Sequence, residues 1–94
     1  MKRIMNGKTF NTTTSTYLAT WPYTDLEGEV EARLYISKGG TFFSVHEWVE
    51  EARSEMRPKV RFYVMDRTEV DDLMQHADNL EIHDTTILPE PPEA

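Results

Sequence analysis

The sequence predicts an α+β fold in which a mostly antiparallel sheet of four to five strands carries two amphipathic helices on one face. Polar and apolar residues alternate over residues 29–36, as they do in a half-buried strand. Short β-prone runs are separated by Asn-Gly and Gly-Gly turn signals. Two stretches combine a helix-capping pattern with apolar residues at helical spacing. We expect one domain over residues 1–88 and a disordered proline-rich tail over residues 89–94.

The first quarter of the chain predicts two strands joined by polar turns. Residues 2–10 indicate a strand with a turn at Asn6-Gly7, where both residues tolerate a positive φ. The polar residues 11–15 favour a second turn. Residues 17–21 are β-prone and are expected to end at Pro22, because proline cannot continue a central ladder. Residues 24–28 are predicted to form a loop.

The centre of the chain predicts a β-hairpin. In the first strand Val30, Ala32, Leu34 and Ile36 would face one side of the sheet, and the residues between them the other. The glycines of Lys38-Gly39-Gly40 permit a tight turn, after which residues 41–43 would pair back.

The first predicted helix follows this hairpin directly. Ser44 is a favourable N-cap, and Glu47 three residues later completes a capping box. Pro58 would terminate the helix. The apolar stripe consists of Val45, Trp48, Val49, Ala52 and Met56. The alternative, in which the strand of residues 41–43 continues through Val45, explains the capping pattern and the periodicity less well.

The last part of the chain predicts a strand, a helix and a short final strand. Residues 59–65 alternate Val60, Phe62 and Val64 with polar residues. Asp66 or Thr68 would cap the second helix, whose buried stripe is Val70, Leu73, Met74 and Ala77. Residues 80–82 indicate a short last strand.

The charge of the chain is acidic and unevenly distributed. Residues 1–24 carry three basic residues and no acid, whereas the remaining 70 positions hold all 17 acids, for a net charge of −7. Such a protein is repelled by nucleic-acid phosphates and by anionic membranes, so we expect it to bind neither and to favour a basic partner. No apolar run is long enough for a signal peptide or a membrane span, and we expect a cytoplasmic protein.

No motif in the sequence predicts catalysis or metal binding. The histidines His46, His76 and His83 lack the spacing of a metal site, and the chain has no cysteine. A nucleophile elbow and a phosphate-binding glycine loop are also missing. We therefore expect a protein without enzymatic activity and without a cofactor.

The acids form the most informative pattern. On the predicted first helix, Glu47, Glu51 and Glu55 would form one stripe, and acids recur at every second position of residues 25–31. One interpretation is a solvated surface that aids solubility. The other is a surface that imitates a row of phosphates and occupies a basic groove of another protein, with a few aromatic side chains adding affinity. The candidate partner-binding residues are Asp25, Glu27, Glu29, Glu31, Tyr35, Glu47, Glu50, Glu51 and Glu55.

Two segments resemble a pattern that is common in small proteins of phages and mobile elements. In that pattern N-G-K-x-[YF]-[DN]-T-x-T leads to an L-Y-x-x-K-x-G-x-[FW]-F hairpin, and Asp66-Arg67-Thr68-Glu69 is similar to its later helix cap. The first half is matched by Asn6, Gly7, Lys8, Phe10, Asn11, Thr12 and Thr14. The second half is matched by Leu34, Tyr35, Lys38, Gly40, Phe42 and Phe43.

Some small acidic phage proteins of this kind are anti-CRISPR inhibitors. The resemblance implies a protein that binds a CRISPR effector in the cytoplasm of the bacterial host cell and blocks recognition of target DNA. The alternative is a small accessory or regulatory domain that binds a host or phage protein through an exposed sheet edge, near Tyr17 or Leu18. Both leave open whether the chain forms a homodimer.

Overall fold

The computed structural model describes residues 1–26, 28–84 and 86–87, so the predicted loop residue Glu27 and the predicted tail 89–94 lie outside the described residues. Seven strands and one helix are described. The strands are β1 (Lys2–Met5), β2 (Lys8–Asn11), β3 (Thr16–Asp25), β4 (Gly28–Ile36), β5 (Phe42–Ala52), β6 (Glu55–Met65) and β7 (Glu81–Ile82), and the helix is α1 (Arg67–His76).

Five of the strands form one antiparallel sheet in the order β6-β5-β4-β3-β7. The predicted, mostly antiparallel sheet is therefore confirmed. β1 and β2 form a separate antiparallel hairpin through the turn at Asn6 and Gly7, both of which have a positive φ as predicted. Proline at position 22 does not end β3, which continues to Asp25 and pairs there with β4. Among the described strands only β7 pairs with this side of β3, and only at Ala19 and Thr20. Proline at position 22 therefore costs no ladder hydrogen bond with a described strand.

The predicted first helix is wrong. Its residues form most of β5, the β5–β6 turn and the start of β6. Arg53 and Ser54 both have positive φ angles, 52° and 65°, which make a two-residue turn of the kind that joins hairpin strands. β5 pairs with β4 on one side and with β6 on the other. The alternative, in which the strand continues through Val45, is thus the observed structure, and the chain has one described helix instead of two.

The second predicted helix is confirmed as α1. The side chain of Asp66 accepts a hydrogen bond from the backbone N–H of Glu69, and the Glu69 carboxylate accepts one from the backbone N–H of Asp66. This reciprocal capping box satisfies two backbone donors that would otherwise have no partner at the helix start. Val70 is the buried anchor of α1.

Two apolar cores lie on opposite faces of the sheet. On the helix-side face, Val70 of α1 packs against a cluster formed by Leu18, Ala19, Trp21, Ala32 and Leu34. On the hairpin-side face, Phe10 of β2 packs against Phe43, with ring centroids 5.2 Å apart. Tyr35, Val45 and Phe62 complete that second core. The molecule therefore has three layers, with the sheet between the helix and the N-terminal hairpin.

Candidate protein-binding surface

The end of the sheet that leads to the β5–β6 turn carries the largest set of predicted site residues. The last pair between β4 and β5 is Val30 with Trp48, whereas β5 and β6 continue to pair as far as Ala52 and Glu55. Residues 49–58 therefore form a two-stranded ribbon beyond the main sheet, which we call the arm. Most residues of the arm are exposed.

Four glutamates lie on the hairpin-side face at this end of the molecule. Glu31 of β4 is directly opposite Glu47 of β5. Side chains alternate along a strand, so Glu29 and Glu51 lie on the same face as this pair. Cβ atoms of directly opposite residues are about 5 Å apart. We call Glu29, Glu31, Glu47 and Glu51 the acidic face.

An ion pair with Arg33 makes the close approach of Glu31 and Glu47 tolerable. The Nη2 atom of Arg33 lies 2.5 Å from Oε2 of Glu47. The Nε and Nη2 atoms of Arg33 are buried and form no well-aligned hydrogen bond with the described residues, so the contact is electrostatic. Because Glu47 balances a partly buried guanidinium, its carboxylate is less available to a partner than those of Glu29, Glu31 and Glu51.

Apolar side chains of the arm lie beside the acidic face. Val49 pairs with Pro58, and Glu51 pairs with Met56, so all four share the hairpin-side face. Val49 is 51% exposed and Met56 is 67% exposed. An apolar centre with a charged rim is the usual composition of a protein–protein interface.

The other predicted site residues are not part of this surface. Asp25, Glu50 and Glu55 lie on the helix-side face, and Glu55 pairs with Arg57 at 3.1 Å. The stripe predicted for positions 47, 51 and 55 therefore does not form, because those positions follow a helical period and the backbone is extended. Tyr35 is buried in the hairpin-side core, where desolvation raises its pKa. Glu27 lies outside the described residues.

The sheet edge that the sequence suggests for the alternative function, near Tyr17 and Leu18, is covered in the structure. Leu18 is fully buried, and its carbonyl accepts hydrogen bonds from the backbone N–H groups of His83 and Asp84. Tyr17 stacks between Tyr35 and His83. The Leu18 carbonyl and the Tyr17 ring are therefore already in contact with residues of the chain itself.

A polar network around His46 was not predicted from the sequence. On the helix-side face the hydroxyl of Tyr23 is 2.7 Å from Nδ1 of His46, and that of Ser44 is 3.0 Å from Nε2. The ring of Tyr63 packs against the imidazole at 4.9 Å. Burial lowers the pKa of His46 and favours its neutral form.

The His46 network closes the rim of the helix-side core. Ser44 is only 2% exposed, so its hydroxyl is not accessible to a substrate in this conformation. The sequence would have indicated the network only if the segment had been assigned as a strand, in which Ser44 and His46 share a face. Among the described residues no group of three metal-ligating side chains could hold a metal ion.

Comparison of the chain with protein-family models, with curated proteins and with solved structures found no match. No helix in the described part of the chain has the length and apolar character needed to cross a membrane.

Proposed function

We propose that this protein is an anti-CRISPR inhibitor, which binds a basic DNA-contacting surface of a CRISPR effector through the acidic face and so blocks recognition of target DNA. The observation that carries the proposal is the arrangement of four carboxylates beside the exposed Val49 and Met56. The sheet places on one face acids that are distant in the sequence. A cluster of carboxylates presents the kind of charge that a basic DNA-binding groove attracts.

Charge and apolar contact would have separate roles in this interaction. The acidic face, on a chain of net charge −7, would accelerate association with a basic groove by electrostatic steering. The arm would add affinity, because burial of exposed apolar side chains is favourable. High salt should therefore weaken binding, because it screens the charges, but the apolar contacts should keep part of the affinity.

The choice of a CRISPR effector as the partner is supported by the resemblance to small phage proteins. The matched residues build the scaffold: Asn6 and Gly7 form the β1–β2 turn, while Leu34, Tyr35 and Phe43 are buried in the two cores. The resemblance therefore supports a common architecture, and the acidic face supports a basic target. The two arguments are independent.

The experiment is a binding assay with purified CRISPR effectors of several types, at low and at high salt. The variant Glu29→Lys/Glu31→Lys reverses two exposed carboxylates of the acidic face and changes neither Arg33 nor Glu47. Loss of two close charge contacts should weaken binding by about 100-fold or more. The control Asp72→Lys/Glu81→Lys makes the same change in net charge at exposed positions on α1 and β7.

Weaker binding of the first variant, with near-normal binding of the control, would support the acidic face as the interface. Equal weakening of both variants would show that only net charge matters. Undiminished binding of Glu29→Lys/Glu31→Lys to an effector that the wild type captures would refute the role of this face. Capture of no effector by the wild type would refute the anti-CRISPR proposal itself.

The second candidate function is an accessory domain that binds another protein through a sheet edge. This candidate is favoured by the outer side of β6, an 11-residue strand at the end of the sheet with which no other described strand pairs. Strand addition depends on backbone hydrogen bonds and side-chain pockets. This candidate therefore predicts binding with little dependence on salt and no effect of Glu29→Lys/Glu31→Lys.

A further inference from the structure

The β5–β6 turn determines which backbone groups of β6 point away from the sheet. Arg53 and Ser54 form a two-residue loop, so the flanking residues Ala52 and Glu55 form a hydrogen-bonded pair. Hydrogen-bonded and non-hydrogen-bonded pairs then alternate along the ladder. The residues with outward N–H and C=O groups are consequently Met56, Pro58, Val60, Phe62 and Val64.

The two halves of this outer edge differ in their ability to accept another strand. Pro58 lacks an outward N–H, and Arg57 and Lys59 flank it, which are features that protect an edge from pairing. Between Val60 and Val64 every outward position has an N–H. Within the described residues no strand pairs with this side of β6. The C-terminal half of the edge is therefore an open template.

We propose that this half of β6 pairs antiparallel with β6 of a second copy of the chain, about a two-fold axis at Phe62. Phe62 then faces Phe62 of the second copy, and Val60 faces Val64. Each of these pairs is in the hydrogen-bonded phase and exchanges both of its backbone hydrogen bonds. Two five-stranded sheets join into one continuous sheet.

Charge selects this register over its neighbour. With the axis at Phe62, Arg61 lies opposite Tyr63 of the second copy, so a cation meets an aromatic ring. With the axis at Arg61, the adjacent in-phase register toward Pro58, Arg61 would lie opposite Arg61 of the second copy, and like charges at directly opposite positions are destabilising. That register would also place Pro58 at a position that needs an N–H donor.

The side chains next to the axis have the exposure that the proposal requires. Tyr63 is 44% exposed on the helix-side face, and Val64 is 41% exposed on the hairpin-side face. A second β6 would cover part of both. Because the axis is perpendicular to the sheet, the acidic faces of both copies would lie on the same side of the continuous sheet. The dimer does not depend on the proposed function.

The first experiment measures mass against concentration by analytical ultracentrifugation. The wild type should move from the mass of one 11.0 kDa chain to twice that mass. Val64→Pro removes an N–H that β5 does not use, and two such donors are lost in each dimer. We expect dimerisation to weaken about 30-fold. Met56→Pro is the matched control, since it removes an outward N–H beyond the paired segment and should leave dimerisation unchanged.

Amide hydrogen exchange tests the register directly. The amides of Val60, Phe62 and Val64 should become protected as concentration rises, while that of Met56 should not. Should Val64→Pro fail to fold by circular dichroism, Tyr63→Lys replaces it, because it places lysine opposite Arg61 of the second copy. A monomeric wild type at all concentrations would overturn the proposal. A dimer that Met56→Pro weakens as much as Val64→Pro or Tyr63→Lys does would also overturn it. A dimer in which the amides of Val60, Phe62 and Val64 stay unprotected from exchange would do the same.

Discussion

Residues 44–56 and residues 66–77 carry the same local helix signature, and only the second segment is a helix. Each begins with a polar residue followed three positions later by glutamate, Ser44 with Glu47 and Asp66 with Glu69. Each continues with apolar residues at helical spacing. The capping box forms at Asp66, whereas Ser44 is buried inside β5 and its hydroxyl contacts His46. The same local pattern therefore accompanies a helix at residues 66–77 and a strand at residues 44–56.

Long-range pairing accounts for the difference. β5 is the partner of both β4 and β6, so a helix over residues 44–56 would leave two strands without their shared neighbour. The segment also contains Val45, Trp48 and Val49, which are β-branched or aromatic and favour strands. α1 does not lie between two paired strands of the sheet, and it contains fewer β-branched and aromatic residues. Tertiary context therefore decides where local propensity is close to balanced.

The largest expected effect comes from removing the side chain that anchors β5. Phe43 is fully buried and contacts Phe10, Tyr35 and Phe62. Phe43→Ala should lower the free energy of unfolding by about 3–5 kcal/mol, measured by urea denaturation. Val70→Ala, at the anchor of α1, should cost about 2 kcal/mol, since fewer carbon atoms are lost than in Phe43→Ala. The reverse order of the two costs would mean that α1, not β5, holds the fold together.

A substitution in the β5–β6 turn should change the free energy of unfolding in opposite directions for a hairpin and for a helix. Arg53 and Ser54 adopt left-handed backbone angles, which cost non-glycine residues about 1–2 kcal/mol each. Arg53→Asn/Ser54→Gly supplies the preferred turn residues and should raise the free energy of unfolding by about 1 kcal/mol. In a helix the same glycine would lower it by about 1 kcal/mol. A fall in stability would therefore contradict the hairpin.

The parts of the fold that could be predicted were those encoded by neighbouring residues. The turn at Asn6 and Gly7, the alternation of β4 and the cap at Asp66 each depend on contacts within a few positions. The β5–β6 turn was missed because Arg53 and Ser54 are not residues that favour positive φ, and the surrounding strands impose it. The candidate site was predicted in composition only: Glu29, Glu31, Glu47 and Glu51 share a face through strand register, which no local pattern encodes.

The smallest expected effect compares the histidines of the two segments. His46 of β5 is desolvated, which holds its pKa below the ordinary value of 6.5, whereas His76 is exposed in the last turn of α1. Between the folded and unfolded pKa values the unfolded chain binds more protons at position 46, so stability rises as pH increases to about 6.5 and falls on acidification. His46→Gln should flatten this part of the profile of unfolding free energy against pH. An unchanged profile for His46→Gln would show that the imidazole is solvated, and that the β5 rim is as open as the surface of α1.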